Sequence, residues 1–250
     1  MKFNLLIYLK IFLVSQFSIY SQGYTYSFPI PLENEDIYFP KNMQDQNRSE
    51  VTKKRILVTY FGPYFKIKDK VVLPVDENAS KIVANGLTEH FNNELYQVDL
   101  CALDTEYFVS TKQAKDCLKS KNYNYDLIIG LGQYHKCNLK VEEYVYNKDS
   151  SKAPDNAGVI RRRKNQRKWG KRKYKVSFIP DSSYLEEVDQ ELVVESTNPG
   201  RYVCNHYGYG ISRYLRETKT KFSFVHVGNM ECENHSELSR VLSELIKYNL

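Results

Sequence analysis

Apolar positions along this chain follow two rhythms, and the switching between them lays out a fold. Arg55-Ile56-Leu57-Val58-Thr59-Tyr60 is a short apolar, β-branched run, and Phe61-Gly62-Pro63-Tyr64 supplies the loop that ends it. Asn78 can cap a helix in which Ile82, Val83, Leu87 and Phe91 recur at helical spacing. A strand over 96–100, a helix over 111–118 and the wholly apolar strand Asp126-Leu127-Ile128-Ile129-Gly130-Leu131-Gly132 come next. Val193, Val194 and Glu195 read as the end of a further strand, Asn198-Pro199-Gly200 as a turn, and 211–216 as a helix. The strand Lys221-Phe222-Ser223-Phe224-Val225-His226-Val227 and an amphipathic helix through Leu238, Val241, Leu242, Leu245 and Ile246 close the pattern. Strands alternating with helices predict a three-layer α/β/α fold around a mostly parallel twisted sheet, which binds its ligands at the carboxyl ends of the strands.

Among the loops at those ends, the one entering Gly200-Arg201-Tyr202-Val203-Cys204-Asn205-His206 carries the candidate chemistry. A cysteine there falls in the first turn of a helix, where unpaired N–H groups and the positive dipole end favour thiolate over thiol. The plain alternative is a small buried apolar side chain. A functional thiol of this kind is expected to alkylate rapidly well below about pH 8.5, its ordinary titration point. A sulfur nucleophile also needs a base, and a third group to orient the base. Of five histidines, His206 lies two positions along the helix and so roughly 200° around it, facing away from the sulfur. His226 ends the strand after the Cys204 helix, and a right-handed strand-helix-strand unit would set that strand beside the one feeding Cys204.

Composition and local charge add to this picture. The chain has 250 residues with 42% hydrophobic content and no visible internal repeat, enough for one folded domain over 54–250. Residues 1–21 carry Lys2, an apolar stretch interrupted by Lys10, and then small polar residues, which is a secretory signal pattern and too short for a membrane span. Residues 22–53 are polar, with prolines at 29, 31 and 40, and read as a linker or extension. A signal implies secretion or a secretory lumen, with no membrane span once it is removed; without it the expected compartment is cytoplasmic. The sequons at Asn47, Asn78 and Asn234 are compatible with secretion. Cys101, Cys117, Cys137, Cys204 and Cys232 are an odd set: four can pair and one stays free, and Cys204 is the candidate for the free thiol. Finally, 161–175 holds ten basic residues and no acidic one, more positive charge than the formal net of +6 for the whole chain. Such a block is most often a solvated, mobile loop; its functional readings are contact with polyanions such as heparin-like glycans or nucleic acid, or a processing site for basic-residue proteases.

Several of these segments, spread over most of 54–250, resemble the pyroglutamyl peptidase I family of cysteine exopeptidases. Ile56-Leu57-Val58-Thr59-Tyr60-Phe61-Gly62-Pro63-Tyr64 is similar to the opening strand and loop of that family, Asn78-Ala79-Ser80 to its Asn-Pro-Ser, and Gly130-Leu131-Gly132-Gln133 to the strand end before its acidic residue. Pro154-Asp155-Asn156 with Gly158 resembles Pro-Asp-Asn-x-Gly, Tyr202-Val203-Cys204-Asn205-His206 its nucleophile motif, and Phe224-Val225-His226-Val227 its histidine strand. The resemblance implies Cys204 as nucleophile, His226 as general base and an acidic partner in Val141-Glu142-Glu143-Tyr144. Counting forward from Gln133 selects Glu143, with Glu142 open if the loop shifts by one. It further implies a lactam pocket lined by Phe61, Tyr64, Gln133, Tyr202 and Val203, substrates that are peptides with N-terminal pyroglutamate, and neither metal nor organic cofactor. Tyr60 stands where the family has glycine and Tyr134-His135-Lys136 replaces a glycine-rich stretch, both expected at the pocket border. The alternative is an inactive secreted homologue in which Tyr60 and Tyr134 fill the pocket and the basic loop holds polyanions.

Overall fold

A computed structural model of the protein describes residues 52–250 apart from Asp69 and Tyr184. The signal-like segment 1–21, nearly all of the polar stretch 22–53 and the sequon at Asn47 lie outside the described residues.

The first strand begins where the apolar run begins. Strands β1 (Lys54–Phe61), β4 (Tyr96–Leu103), β5 (Leu127–Gln133), β6 (Leu139–Glu142), β9 (Val193–Ser196) and β10 (Lys221–Val227) form one sheet in the order β4-β1-β5-β10-β6-β9. All neighbours are parallel except β6, which runs antiparallel to β10. Two small ribbons stand outside it, β2 (Tyr64–Lys68) with β3 (Val71–Val75) and β7 (Tyr144–Tyr146) with β8 (Lys173–Lys175). The helices are α1 (Ala79–Glu89), α2 (Val109–Lys119), α3 (Glu187–Glu191), α4 (Val203–Tyr214) and α5 (His235–Asn249).

Period-two alternation on the strands divides the core in two. On one face Ile56, Val58, Val225 and Val227 pack with α1 and α5; on the other Leu57, Phe61, Phe222 and Phe224 pack with Ala114 of α2 and Ile211 of α4. Each fully buried side chain of this kind stabilises the fold by about 1.5–3 kcal/mol. The three layers are those the sequence predicts. The strand neighbours are not. The strand feeding the cysteine, β9, does not lie beside β10, because β6 is inserted between them.

Local signals explain the helix ends near the sheet's carboxyl edge. Asn78 caps α1, its side chain accepting from Ser80 N at 3.1 Å while its Nδ2 donates to Gly62 O. That capping role leaves Asn78 buried inside the fold, whereas Asn234 is only partly buried, with its Nδ2 donating to Cys137 O. Asn198 and Gly200, the latter at φ 75, make the left-handed turn that enters α4.

Two disulfides form, Cys101–Cys117 and Cys137–Cys232, and Cys204 is the free cysteine. The second joins the loop after β5 to the loop after β10 across a sequence separation of 95. Closing so long a loop restricts the unfolded chain far more than the separation of 16 in the first bridge. Replacing both Cys137 and Cys232 by Ala is expected to cost roughly 2–4 kcal/mol in urea unfolding, and the same change at Cys101 and Cys117 less.

Candidate active site

The site assembles at the carboxyl ends of β5 and β10, where α4 begins. Tyr202 is the cap residue of α4 in extended conformation, with no side-chain hydrogen bond to the first turn, so the N–H groups around Cys204 stay available. Gly132 fixes the approach. A Cβ on Gly132 would lie 3.0 Å from Cys204 Sγ and 3.1 Å from His226 Cδ2, so sulfur and imidazole converge on the same side of the sheet over a bare backbone. No hydrogen bond links them at rest among the described residues, a looseness common before substrate closes the geometry.

The imidazole is held from the reversed strand. His226 Nδ1 meets Glu142 Oε1 at 2.7 Å, and Lys140 Nζ reaches the same oxygen at 2.8 Å. Register explains the choice: β6 pairs Glu142 with Phe224 and Lys140 with His226, so the alternation that sends Val141 to the opposite face with Val225 brings Lys140 and Glu142 to the histidine's face. Glu143, the acidic partner selected by counting along the sequence, lies past the end of the strand. Its carboxylate is half-buried and faces Lys175 Nζ at 3.4 Å. The carboxylate beside His226 is therefore Glu142, because the inserted strand ends one residue before the gapless count.

Electrostatics follow from burial. Although Glu142 is fully enclosed, which opposes ionisation, its bonds to His226 and Lys140 hold the carboxyl below its usual range. Cys204 keeps some solvent access, yet the protein atoms packed around its sulfur push the thiol up to about 12; its own backbone N–H pulls the other way, and Glu142 adds a further rise. The helix start thus favours the anion as the sequence suggests, but packing outweighs it. At rest the sulfur is a thiol.

Around it, Phe61, Tyr202, Val203 and Cys204 belong to one apolar cluster, with Phe61 and Val203 fully buried and Tyr202 half-buried. Tyr202 donates its hydroxyl to Pro154 O, and Asn156 Nδ2 donates to Pro63 O, tying the Pro-Asp-Asn segment to both rims. Tyr64 stands near enough that charge on Cys204 adds to the burial that raises its hydroxyl. Gln133 is engaged at both ends of its amide: Oε1 accepts from Ala79 N at 2.7 Å and Nε2 donates to the Tyr64 hydroxyl at 2.8 Å. It therefore braces the wall, with one N–H left to offer a ligand.

The two tyrosines expected at the border part company. Tyr134 packs against His226 with ring centroids 5.8 Å apart, whereas Tyr60 packs into the core on the far face of the sheet with α1 and α5. Tyr60 is on the wrong side to fill the pocket. His206, excluded by helical geometry, indeed turns away and pairs through Nδ1 with Asp149 at 2.9 Å. Sequence reasoning missed Lys140; its spacing of two from Glu142 on a short strand was the available signal.

The sequence profile described as Pyroglutamyl peptidase matches residues 54–235. The chain belongs to the pyroglutamyl peptidase family of cysteine peptidases. It is 29% identical over 178 residues to pyrrolidone-carboxylate peptidase 2 of Caldanaerobacter subterraneus subsp. tengcongensis, covering 69% of this chain and 80% of that protein. It is 28% identical over 185 residues to the pyrrolidone-carboxylate peptidase of Brevibacillus brevis, covering 70% and 78%. The fold matches that of Bacillus amyloliquefaciens pyroglutamyl peptidase I with a TM-score of 0.64 at 19% identity, over 77% of this chain and 95% of that one. The pyrrolidone carboxyl peptidase of Thermococcus litoralis gives 0.63 at 16% identity, over 78% and 93%. In this pyroglutamyl peptidase family member no described helix is long and apolar enough to cross a membrane.

The raised thiol sets a measurable pH profile. Alkylation of Cys204 by iodoacetamide in the absence of substrate is expected to accelerate about tenfold per pH unit through the alkaline range, with a midpoint well above the ordinary value of about 8.5. A rate already level below about pH 8 would instead show a resting thiolate–imidazolium pair.

Proposed function

We propose that this protein is a cysteine exopeptidase that hydrolyses the N-terminal pyroglutamyl residue from peptides, with Cys204 as nucleophile, His226 as general base and Glu142 as the group that orients it. The observation that carries the reading is the convergence of Cys204 Sγ and His226 on Gly132 with Glu142 bonded behind the imidazole. The bond to Glu142 keeps a proton on Nδ1, leaving Nε2 as the acceptor. Because the thiol is protonated at rest, proton transfer to His226 accompanies attack on the pyroglutamyl carbonyl. The developing oxyanion meets N–H groups at the start of α4, and the shortened peptide leaves with the proton from His226. Water, deprotonated by the same imidazole, then hydrolyses the thioester. A neutral lactam suits the walls: Phe61, Tyr64 and Tyr202 are aromatic, and Gln133 supplies an amide.

Secretion, or residence in a secretory lumen, is part of the same reading, supported by the signal-like start and by two disulfides with the reactive thiol left out. Contact with polyanions through 161–175 is a further part, supported by the charge of that stretch.

Turnover of a pyroglutamyl amide beside a prolyl amide tests the activity. Cys204→Ala should fall to background, Glu142→Gln should lose about 10²–10⁴ in kcat/KM, and Glu143→Gln should stay within about twofold of the parent. Equal losses at the two glutamates would remove Glu142 from its role. A folded parent protein with no turnover would favour the inactive binding homologue.

A further inference from the structure

The basic stretch is a built element rather than a free loop. Asn147 clasps it three times, its Nδ2 donating to Arg167 O and Gly170 O and its Oδ1 accepting from Arg167 N. Gln166 Nε2 donates to Tyr146 O, Arg161 Nε bonds Asp149 Oδ2 at 2.7 Å, and the Tyr209 hydroxyl donates to Lys171 O. β8 completes the strap by pairing with β7. The stretch 161–175 is solvent-exposed as the sequence predicts, and it is tied to the fold at these positions with its charge outward.

Two cavities open on the flanks of this strap. One, of about 580 Å³, is lined by Lys148, Arg163, Lys168, Arg172 and Arg201. The other, of about 340 Å³, is lined by Lys112, Lys115, Arg167 and Arg213 together with His206. Neither lining contains a carboxylate. Among the described residues, none of these nine lysines and arginines is ion-paired with an acid, and Asp149 below them is already engaged by Arg161 and His206. The cations come from α2, α4, the strap, the segment after β7 and the turn before α4, so the tertiary fold gathers them. Like charges gathered into concave sites repel one another unless an anion joins them. Lys115 registers the crowding: burial lowers its affinity for a proton, and Lys119 and Arg167 lower it further. Thr111 lines the second cavity, and its buried hydroxyl has no hydrogen-bond partner among the described residues.

Consecutive residues Arg167 and Lys168 serve opposite flanks, so the two cavities are separated by little more than the width of the strap. One small anion fills one flank. A chain bearing anionic groups at intervals engages both. On the strap between them Trp169 is 89% exposed, with Lys168 over its ring, a flat apolar plate suited to a sugar face. Single-stranded nucleic acid is bound by successive stacked aromatics, whereas Trp169 is the strap's lone exposed ring, Tyr174 being half-buried. The two disulfides support the secretory residence proposed above, and on that reading sulfated glycans rather than nucleic acids are the polyanions met. We propose that the strap and its two flanking cavities form a docking site for a sulfated polysaccharide, an inference that rests on the polyanion reading of 161–175 and not on the peptidase chemistry.

Trp169 is the single tryptophan of the chain, so its emission reports on the strap directly. The full chain with disulfides intact is titrated with heparin, with desulfated heparin and with a thymidine oligonucleotide at about 150 mM salt. Heparin should shift the emission saturably, with affinity falling steeply as salt rises, and desulfated heparin should not. Lys168→Ala with Arg172→Ala on one flank, and Lys112→Ala with Arg213→Ala on the other, should each weaken heparin binding roughly tenfold while turnover of a pyroglutamyl amide, if present, is unchanged. Oligonucleotide bound as tightly as heparin through the same residues would overturn the glycan assignment and leave polyanion contact standing. Loss from one flank alone would overturn the two-cavity site, and no response to any polymer would overturn the polyanion reading with it.

Discussion

One antiparallel pairing organises the functional end of this molecule. β6 runs antiparallel to β10 and parallel to β9, and its register against β10 places Glu142 and Lys140 on the same face as His226. Without it, the carboxyl ends of the parallel strands would present the imidazole with no buried anion behind it. Lys140 extends the arrangement: besides meeting Glu142, its Nζ donates to Asn198 O in the turn that launches α4. The segment that leads to Cys204 and the pair His226 and Glu142 are therefore tied to one cation. The disulfide Cys137–Cys232 secures the two loops leaving β5 and β10, beside the same cluster.

Charge is distributed here so that one proton has one place to go. Packing around the sulfur and the anion of Glu142 disfavour a second negative charge at Cys204, while the bonds from His226 and Lys140 hold the Glu142 carboxyl below its usual range. In the proposed reaction, the thiol proton would pass to the imidazole and leave an imidazolium facing that carboxylate. Two donors on Oε1 of Glu142 keep it ionised despite complete burial, leaving Oε2 without a partner. Gly132 permits all of this by having no side chain where Cys204, Phe224 and His226 meet.

The basic strap shows the same economy in reverse. Its backbone is held by uncharged partners, chiefly Asn147, and its own Gln166 reaches out to Tyr146 O, which leaves most of its guanidinium and ammonium groups free of carboxylates. Arg161 and Lys175 are the exceptions: Lys175 faces Glu143, and Arg161 anchors the strap to Asp149 and, through that carboxylate, to His206 on α4. The fold thereby accommodates a run of like charge without neutralising it.

The sequence by itself determined what depends on near neighbours: the apolar alternation of β1, β5 and β10, the Asn78 cap, the turn before α4, a cysteine in that helix's first turn, and the turning away of His206. These follow from backbone periodicities of a few residues, and the order of Cys204 and His226 follows with them. Tertiary structure alone decided between Glu142 and Glu143, because which of two adjacent carboxylates meets an imidazole more than eighty positions away depends on where a four-residue strand stops and on its register against β10. It also sent Tyr60 to the far face, raised the thiol by packing it, chose the disulfide partners, and turned a run of ten basic residues into an anchored strap. Local pattern fixes the element; burial, register and the sign of neighbouring charge arise only when distant elements are brought into contact.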